Sequence, residues 1–213
     1  MLRRRNLHGA AWLDLDPEFL DSDAAERLRQ DLTEQIPWEQ KPIRVFGREV
    51  MQPRLVSWAG DVPYRYSGQT LPVRALPPIL AKLNDEMRSL TGIPFNHVLL
   101  NRYRDGKDYM SAHADNEPEL GYCPVIAALS LGAQRGFRLT PRFTREKRLQ
   151  RRLRVNVPLS HGSLMVMGGR MQHTWRHEVP KSLKVKGERI NLTFRWVRGP
   201  PGWREPKPYR RVS

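Results

Sequence analysis

Arg189-Ile190-Asn191-Leu192-Thr193-Phe194-Arg195-Trp196 alternates without a break. A strand turns successive side chains to opposite faces, so Ile190, Leu192, Phe194 and Trp196 share one face and Arg189, Asn191, Thr193 and Arg195 the other. Two arrangements fit this pattern. An ordinary half-exposed strand turns its polar face to water. Alternatively, two guanidiniums, an amide and a hydroxyl line a cavity and hold a dicarboxylate, because the planar fork of arginine meets a carboxylate through two parallel hydrogen bonds.

The same period of two begins near residue 95. Strands are predicted at residues 95–103, 124–131, 136–139, 153–159, 163–167 and 188–197, separated by Gly, Pro and Asp clusters. Many short strands with little helix between them favour a closed or double-sheet antiparallel architecture, such as a jelly roll. Upstream, residues 22–36 read as a helix with Leu28, Leu32 and Ile36 on one face, ended by Pro37. A second helix starts at Pro77-Pro78 and carries Ile79, Leu83, Met87 and Leu90 before Thr91-Gly92. The stretch between them is strand-like, with turns at Phe46-Gly47, Ala59-Gly60-Asp61 and Ser67-Gly68. The chain thus divides into an N-terminal extension (1–94), a jelly-roll core (95–198) and a basic, Pro-rich tail (199–213) that is expected to be mobile, all in one compact domain. There is no internal repeat.

Of the 213 residues, 39% are apolar and six are Trp, enough for a packed core and unlike a disordered chain. No apolar run approaches the roughly 18 residues a membrane span needs, and the charged start, Met1 to His8, has no apolar stretch behind it to serve as a secretory signal. Cys123 is the single cysteine. It has no internal disulfide partner, and a reducing, intracellular compartment is expected: cytoplasm in a bacterium, nucleus in a eukaryote. Thirty-seven Lys and Arg against 22 Asp and Glu give a formal charge of +15. Residues 1–100 hold 13 of each sign and residues 101–213 hold 24 basic and 9 acidic, so the whole excess sits in the second half. Such asymmetry points to a polyanion, nucleic acid ahead of a membrane surface, although a solvated charged face has the same composition. The densest run, residues 142–154, has seven basic side chains and one acid, Glu146, and is expected to be an exposed loop or loop edge.

His113-Ala114-Asp115 sets an imidazole and a carboxylate two residues apart in an extended region. Both fall on one face, roughly 6–7 Å apart along the backbone, a separation that two side chains can close around one ion. Two His and one carboxylate with open coordination positions make the facial triad of non-haem Fe(II) oxygenases. A lone His-x-Asp is also an ordinary structural pair, so a distant third ligand is required. With His8 in an N-terminal arm and His97 ahead of a core strand, the candidates are His161, His173 and His177. Spacing alone does not choose between His173 and His177.

Asn101-Arg102-Tyr103, His113-Ala114-Asp115, Trp175-Arg176-His177 leading to Pro180, and Arg189 to Arg195 together resemble the AlkB family of iron- and 2-oxoglutarate-dependent nucleic-acid dealkylases, particularly its duplex-DNA repair branch. The likeness runs from about residue 42 to 197 and rests on the joint spacing of these motifs. It implies a mainly β fold with flanking helices: a double-stranded β-helix (jelly roll) core with an N-terminal helical and nucleotide-recognition extension. The polar face of the 188–197 strand then looks into the barrel. It implies Fe(II) ligands His113, Asp115 and His177, taking His177 over His173. It implies 2-oxoglutarate contacts from Asn101, Tyr103, Arg189, Thr193 and Arg195, with Asn191 in support.

By the same resemblance Val45-Phe46-Gly47 looks like the hairpin tip that enters the base stack, with Phe46 as the wedge, and residues 64–68 look like the lid over a flipped base. The base is expected between Tyr66 and the His113 ring, with Tyr64 and Glu117 nearby. Asn116 stands where close relatives often have a second acid, and Tyr66 where some have Phe; both departures bear on base preference. The implied reaction uses O2 and converts 2-oxoglutarate to succinate and CO2 while hydroxylating an N-methyl group of 1-methyladenine or 3-methylcytosine, which then releases formaldehyde. The implied substrate is alkylated DNA, duplex and single-stranded, bound by a monomer. Arg142, Arg145, Lys147, Arg148, Arg151 and Arg152 would grip phosphates, contacts that carry little sequence information. The alternatives are an AlkB-like oxygenase acting on RNA or protein, and a non-catalytic basic nucleic-acid-binding module whose His and Asp are structural or hold Zn2+.

Overall fold

Arg189–Arg195 is buried along its whole length, on both faces. Its apolar side, Ile190, Leu192 and Phe194, belongs to a core shared with Ala25, Leu32, Leu83 and Met87 of two helices. Its polar side is covered by a second sheet, so water is not the partner of Arg189 and Arg195, which are 1% and 3% exposed.

The computed structural model describes residues 1–45, 48–66, 69–142 and 144–199, apart from the side chains of Arg44, Val45, Tyr66 and Gln69. The elements run β1 (Arg3–Leu7), β2 (Ala11–Asp16), α1 (Ser22–Gln35), β3 (Pro42–Val45), β4 (Arg48–Met51), β5 (Leu55–Gly60), β6 (Tyr64–Tyr66), β7 (Gln69–Leu71), α2 (Pro78–Thr91) and β8 (His97–Tyr103). They continue with β9 (Met110–His113), β10 (Ile126–Gly132), β11 (Arg135–Pro141), α3 (Lys147–Leu153), β12 (Val155–Leu159), β13 (Ser163–Gly169), α4 (Met171–Thr174), β14 (Trp175–Val179) and β15 (Arg189–Arg195). A seven-stranded sheet has the order β1-β2-β13-β10-β15-β8-β5 and a four-stranded sheet the order β12-β11-β14-β9, all antiparallel. Two ribbons, β3-β4 and β6-β7, stand apart from them. This is the double-sheet jelly roll that the alternation predicts.

One face of the large sheet packs on α1 and α2. The other meets the small sheet through Phe137, Leu139, Val157 and Trp175 against Leu13, Ile126, Met165 and Met167. Asp21 caps α1 by accepting the Ala24 N–H at 2.7 Å. Gly92 ends α2 at φ 72°, a left-handed conformation that glycine adopts without strain. Leu90 is 44% exposed and Leu80 takes the buried place expected of it.

Several expectations are corrected. The N-terminal arm is instead the hairpin β1–β2, which extends the large sheet through β13, while β5 closes its opposite edge on β8. Hydrogen bonding is thus continuous across residue 94. Gly60 ends a strand and does not turn, because β5 pairs through it with His97. The basic run is not a loop alone: Lys147–Leu153 is a helix, built from strong helix formers, with Leu149 and Leu153 half-buried one turn apart. Phe46, Gly47, Ser67, Gly68 and the tail beyond Gly199 lie outside the described residues. No helix among the described residues is long and apolar enough to cross a membrane.

Candidate functional site

Two neighbouring strands build the site. β8 pairs with β15 so that Arg189 faces Tyr103, Asn191 faces Asn101 and Arg195 faces His97. Paired residues in an antiparallel ladder share a face. Arg189, Tyr103, Asn191, Asn101 and Arg195 line a narrow chamber that also holds His113, Asp115 and His177, while His97 packs beside Tyr64. His113 and His177 are themselves a cross-strand pair between β9 and β14, which explains why residues 64 positions apart in sequence meet.

The ligand atoms of His113, Asp115 and His177 all lie within 4.8 Å of one another. Nδ1 of His113 is 2.8 Å from the Ser111 carbonyl. A carbonyl only accepts, so Nδ1 carries the proton and Nε2 turns its lone pair toward Asp115 Oδ1, 3.7 Å away. The His177 ring stacks on Phe137 at 5.2 Å and meets His113 edge-on at 4.2 Å. Burial and the nearby His113 push His177 down to about 3, and burial lowers His113, so both imidazoles stay neutral. Burial alone would raise Asp115; the Arg195 guanidinium outweighs it and keeps the carboxylate charged. Neutral imidazoles and an ionised carboxylate are the protonation states that a metal ion requires.

The arginines of the chamber carry unsatisfied donors. Arg195 Nη2 donates to Asp115 Oδ2 at 2.9 Å, and Arg189 Nη2 donates to Ser130 Oγ at 2.8 Å and Asn191 Oδ1 at 2.7 Å. Nε and Nη1 of both arginines are buried without a hydrogen-bond partner. Buried donors left unpaired are costly unless a ligand accepts from them, and four of them on two guanidiniums suit a dicarboxylate.

The comparisons agree with this chemistry. A family profile described as the 2OG-Fe(II) oxygenase superfamily matches residues 13–195. The Rattus norvegicus protein named alpha-ketoglutarate-dependent dioxygenase alkB homolog 3 is 41% identical over 204 residues, covering 91% of this chain and 68% of its own length. The Homo sapiens protein named DNA oxidative demethylase ALKBH2 is 35% identical over 203 residues, covering 89% of this chain and 78% of its own length. The chain belongs to the AlkB family within that superfamily. The solved structure of OsALKBH1, 17% identical, matches with a TM-score of 0.59 over 86% of this chain and 97% of that one, and shows the shared jelly-roll fold. This AlkB-family protein is a dioxygenase that uses Fe(II), 2-oxoglutarate and O2.

Outside the chamber the AlkB-family protein has an open cleft of about 470 Å³ between the β3–β4 ribbon and β9, lined by Ile43, Val50, Met51, Tyr109, His113 and Glu117. Val50 and Met51 are about half exposed there. Tyr64 is buried, and the Glu117 carboxyl is raised by burial and by the nearby Asp115. Asn116 is exposed. Phe46, Gly47 and the side chains of Val45 and Tyr66 lie outside the described residues. Arg145, Lys147, Arg148, Arg151 and Arg152 are exposed, whereas Arg142 is engaged in part, donating to the Gln172 carbonyl at 3.0 Å. His173 is not in the metal cluster; its Nε2 contacts the Tyr122 carbonyl.

Several residues in and beside the site escape sequence reasoning. Arg54 donates to Asn101 Oδ1 at 2.6 Å and to the Tyr109 carbonyl, which fixes the amide in the chamber. Lys181, Lys184 and Lys186 are exposed on the loop before β15, and that loop is pinned by the bonds Gly106 N–H to Val185 O and Ser182 N–H to Gly106 O. A Cβ on Gly106 would lie 1.9 Å from the Ser182 oxygen, so no other residue fits. Buried Gln172 accepts the Asp115 N–H at 3.0 Å, holding the metal carboxylate from behind. Gln172→Met keeps the volume and deletes that acceptor, and metal affinity should fall by about 10- to 100-fold, as it does when such supporting bonds are lost. Titration with Mn2+ measures it, and an unchanged dissociation constant would rule out the support.

His97 is also buried, with neither ring nitrogen paired, and burial lowers it to about 3. A histidine whose folded pKa lies below its unfolded value lets the unfolded chain protonate first. Its stability contribution is therefore full above about pH 6.5 and declines as pH falls toward 3. Between pH 6.5 and 5 the metal-free protein should lose about 2 kcal/mol for each of His97 and His177. In His97→Phe, denaturant unfolding should show that loss reduced by about 2 kcal/mol, the His97 share; parallel pH curves for the two proteins would refute the assignment.

Proposed function

We propose that this AlkB-family dioxygenase removes N-linked methyl groups from bases of DNA. The carrying observation is that His113 lines both cavities. A ligand of the metal cluster thus forms the wall between a closed, cationic chamber and an open, partly apolar cleft. Arg189, Arg195, Asn101, Tyr103 and Thr193 hold 2-oxoglutarate on the inner side, and Asn191 keeps Arg189 oriented. The cleft receives the flipped base, whose methyl group is directed at His113, Asp115 and His177. Fe(II) bound by these three ligands, with 2-oxoglutarate and O2, supplies the oxidation that turns an N-methyl into an N-hydroxymethyl group, which leaves as formaldehyde. The human relative's name, DNA oxidative demethylase, supports DNA as the substrate.

The protein contributes position and exclusion of water. In this reading Glu117 and Asn116 meet the exposed edge of the base, and Phe46 is the residue that would fill the gap it leaves in the stack. Substrates of this kind are 1-methyladenine and 3-methylcytosine, whose blocked pairing lowers the cost of flipping. A monomer suffices for this, and the compartment is that of the DNA: cytoplasm in a bacterium, nucleus in a eukaryote. Formaldehyde release from methylated duplex DNA, single-stranded DNA and RNA, with and without 2-oxoglutarate, is the test. Release from RNA alone would overturn the substrate, and 2-oxoglutarate-independent release would overturn the reaction.

Phosphate contacts come from two cationic sets, Arg148, Arg151 and Arg152 beside Arg145 and Lys147, and the lysines of the 180–187 loop. Replacing either triplet with Ala should weaken DNA binding and reduce the log–log salt slope by up to about 3, one counterion per lost contact. A triplet whose removal leaves the slope unchanged lies off the DNA.

A further inference from the structure

Arg135 opens β11 and is 2% exposed, yet it has no carboxylate partner. Its guanidinium donates to three main-chain carbonyls: Nη1 to Asp105 O at 3.1 Å, and Nη2 to Asp108 O at 2.9 Å and Pro180 O at 2.7 Å. The nearby acid, Asp108, is taken by Arg104 through a pair of hydrogen bonds at 2.8 and 2.9 Å. Arg135 also lies 5.5 Å from the centre of the Tyr103 ring, and Arg189 lies 5.3 Å from the same ring.

Two buried cations therefore share one aromatic ring at one end of the chamber. A fork with fixed donors is the side chain that can hold three carbonyls from two separate loops at once; a lysine ammonium offers no such plane. The three carbonyls are neutral, so the charge of Arg135 remains to add to that of Arg189 at the point where an anion would sit. Removing the guanidinium would free Tyr103 to tilt and would release the Pro180 carbonyl that starts the lysine loop.

We propose that Arg135 is a positioning residue that serves two ligands: it fixes Tyr103 and Arg189 for the distal carboxylate of 2-oxoglutarate, and it anchors the loop carrying Lys181, Lys184 and Lys186 against the DNA. It touches neither ligand. The proposal rests on the 2-oxoglutarate and DNA roles given above. Because it acts through placement, it affects the two affinities and spares the chemical step once both sites are filled.

The test compares wild type, Arg135→Lys and Arg135→Met. Binding of 2-oxoglutarate to the Mn2+-loaded protein is measured by calorimetry, and binding of a methylated duplex by anisotropy across a salt series, neither requiring turnover. Both variants should bind 2-oxoglutarate at least about 10-fold more weakly and raise its KM in step, with kcat at saturation within about 3-fold of wild type. Lys should fail to rescue, because it keeps charge but not the fork. Duplex affinity should fall in parallel. Full 2-oxoglutarate affinity in folded Arg135→Met, or a loss of kcat with KM unchanged, would overturn the proposal. If Arg135→Met does not fold, Arg135→Lys decides by the same measurements. Wild type that binds no 2-oxoglutarate would instead overturn the cosubstrate reading itself.

Discussion

His113→Ala, Asp115→Ala and His177→Ala should each lower turnover of a methylated oligonucleotide by about 1,000-fold or more, while His173→Ala stays within about 2-fold of wild type. The three ligand atoms within 4.8 Å leave no spare donor among the described residues to replace a lost one. His113 and His177 face each other across β9 and β14, so truncating one leaves the other with no chelating partner on its strand pair. His173 sits a turn away on α4 with its ring against Tyr122. Metal content after desalting provides the second measurement: the three ligand variants should retain little iron and His173→Ala a full equivalent. Iron loss in His173→Ala with retention in His177→Ala would reverse the ligand assignment.

Arg195→Met should have the next largest effect, and a more complex one. Arg195 and Asp115 are each 3% exposed and form a buried ion pair. Removing one partner of such a pair strands the other, at about 3–5 kcal/mol. The folded pKa of Asp115 is depressed, so its contribution is present above the unfolded carboxylate pKa and is lost as pH falls through the folded value. Without Arg195 that contribution disappears and burial pushes the carboxyl upward. The metal-free variant should therefore melt well below wild type at neutral pH. A bound divalent ion would take over as counter-charge, so Mn2+ should restore much of the lost melting temperature, whereas 2-oxoglutarate affinity should stay about 100-fold weak for want of the guanidinium. If Mn2+ restores nothing, charge compensation is not what the pair supplies.

How far the sequence reaches depends on the kind of contact. The alternation of Arg189–Arg195 is legible because period two is a local property, and ligand chemistry narrows the partner of His113 to a few histidines, with the family resemblance choosing His177 over His173. Burial of the polar face is not legible from alternation alone; it depends on a second sheet assembled from residues 110–179. Gln172, Arg54 and Arg135 escape because their partners are main-chain groups or amides brought near only by folding, from 27 to 57 positions away. The hairpin β1–β2 is missed because Arg3-Arg4-Arg5-Asn6 has no apolar alternation, although Ala11-Trp12-Leu13-Asp14-Leu15-Asp16 has it. In the basic run, charge density masks the good helix propensity of residues 147–153.

β15 separates two design variables along seven consecutive residues. Positions 190, 192 and 194 face α1 and α2, and positions 189, 191, 193 and 195 face the chamber. A library confined to the odd positions would explore alternative 2-oxo acids on an unaltered scaffold, and one confined to the even positions would tune thermal tolerance without altering the chamber side chains. Because the sets point away from each other, hits from the two could be recombined with little interference, even though they interleave in a single stretch of codons.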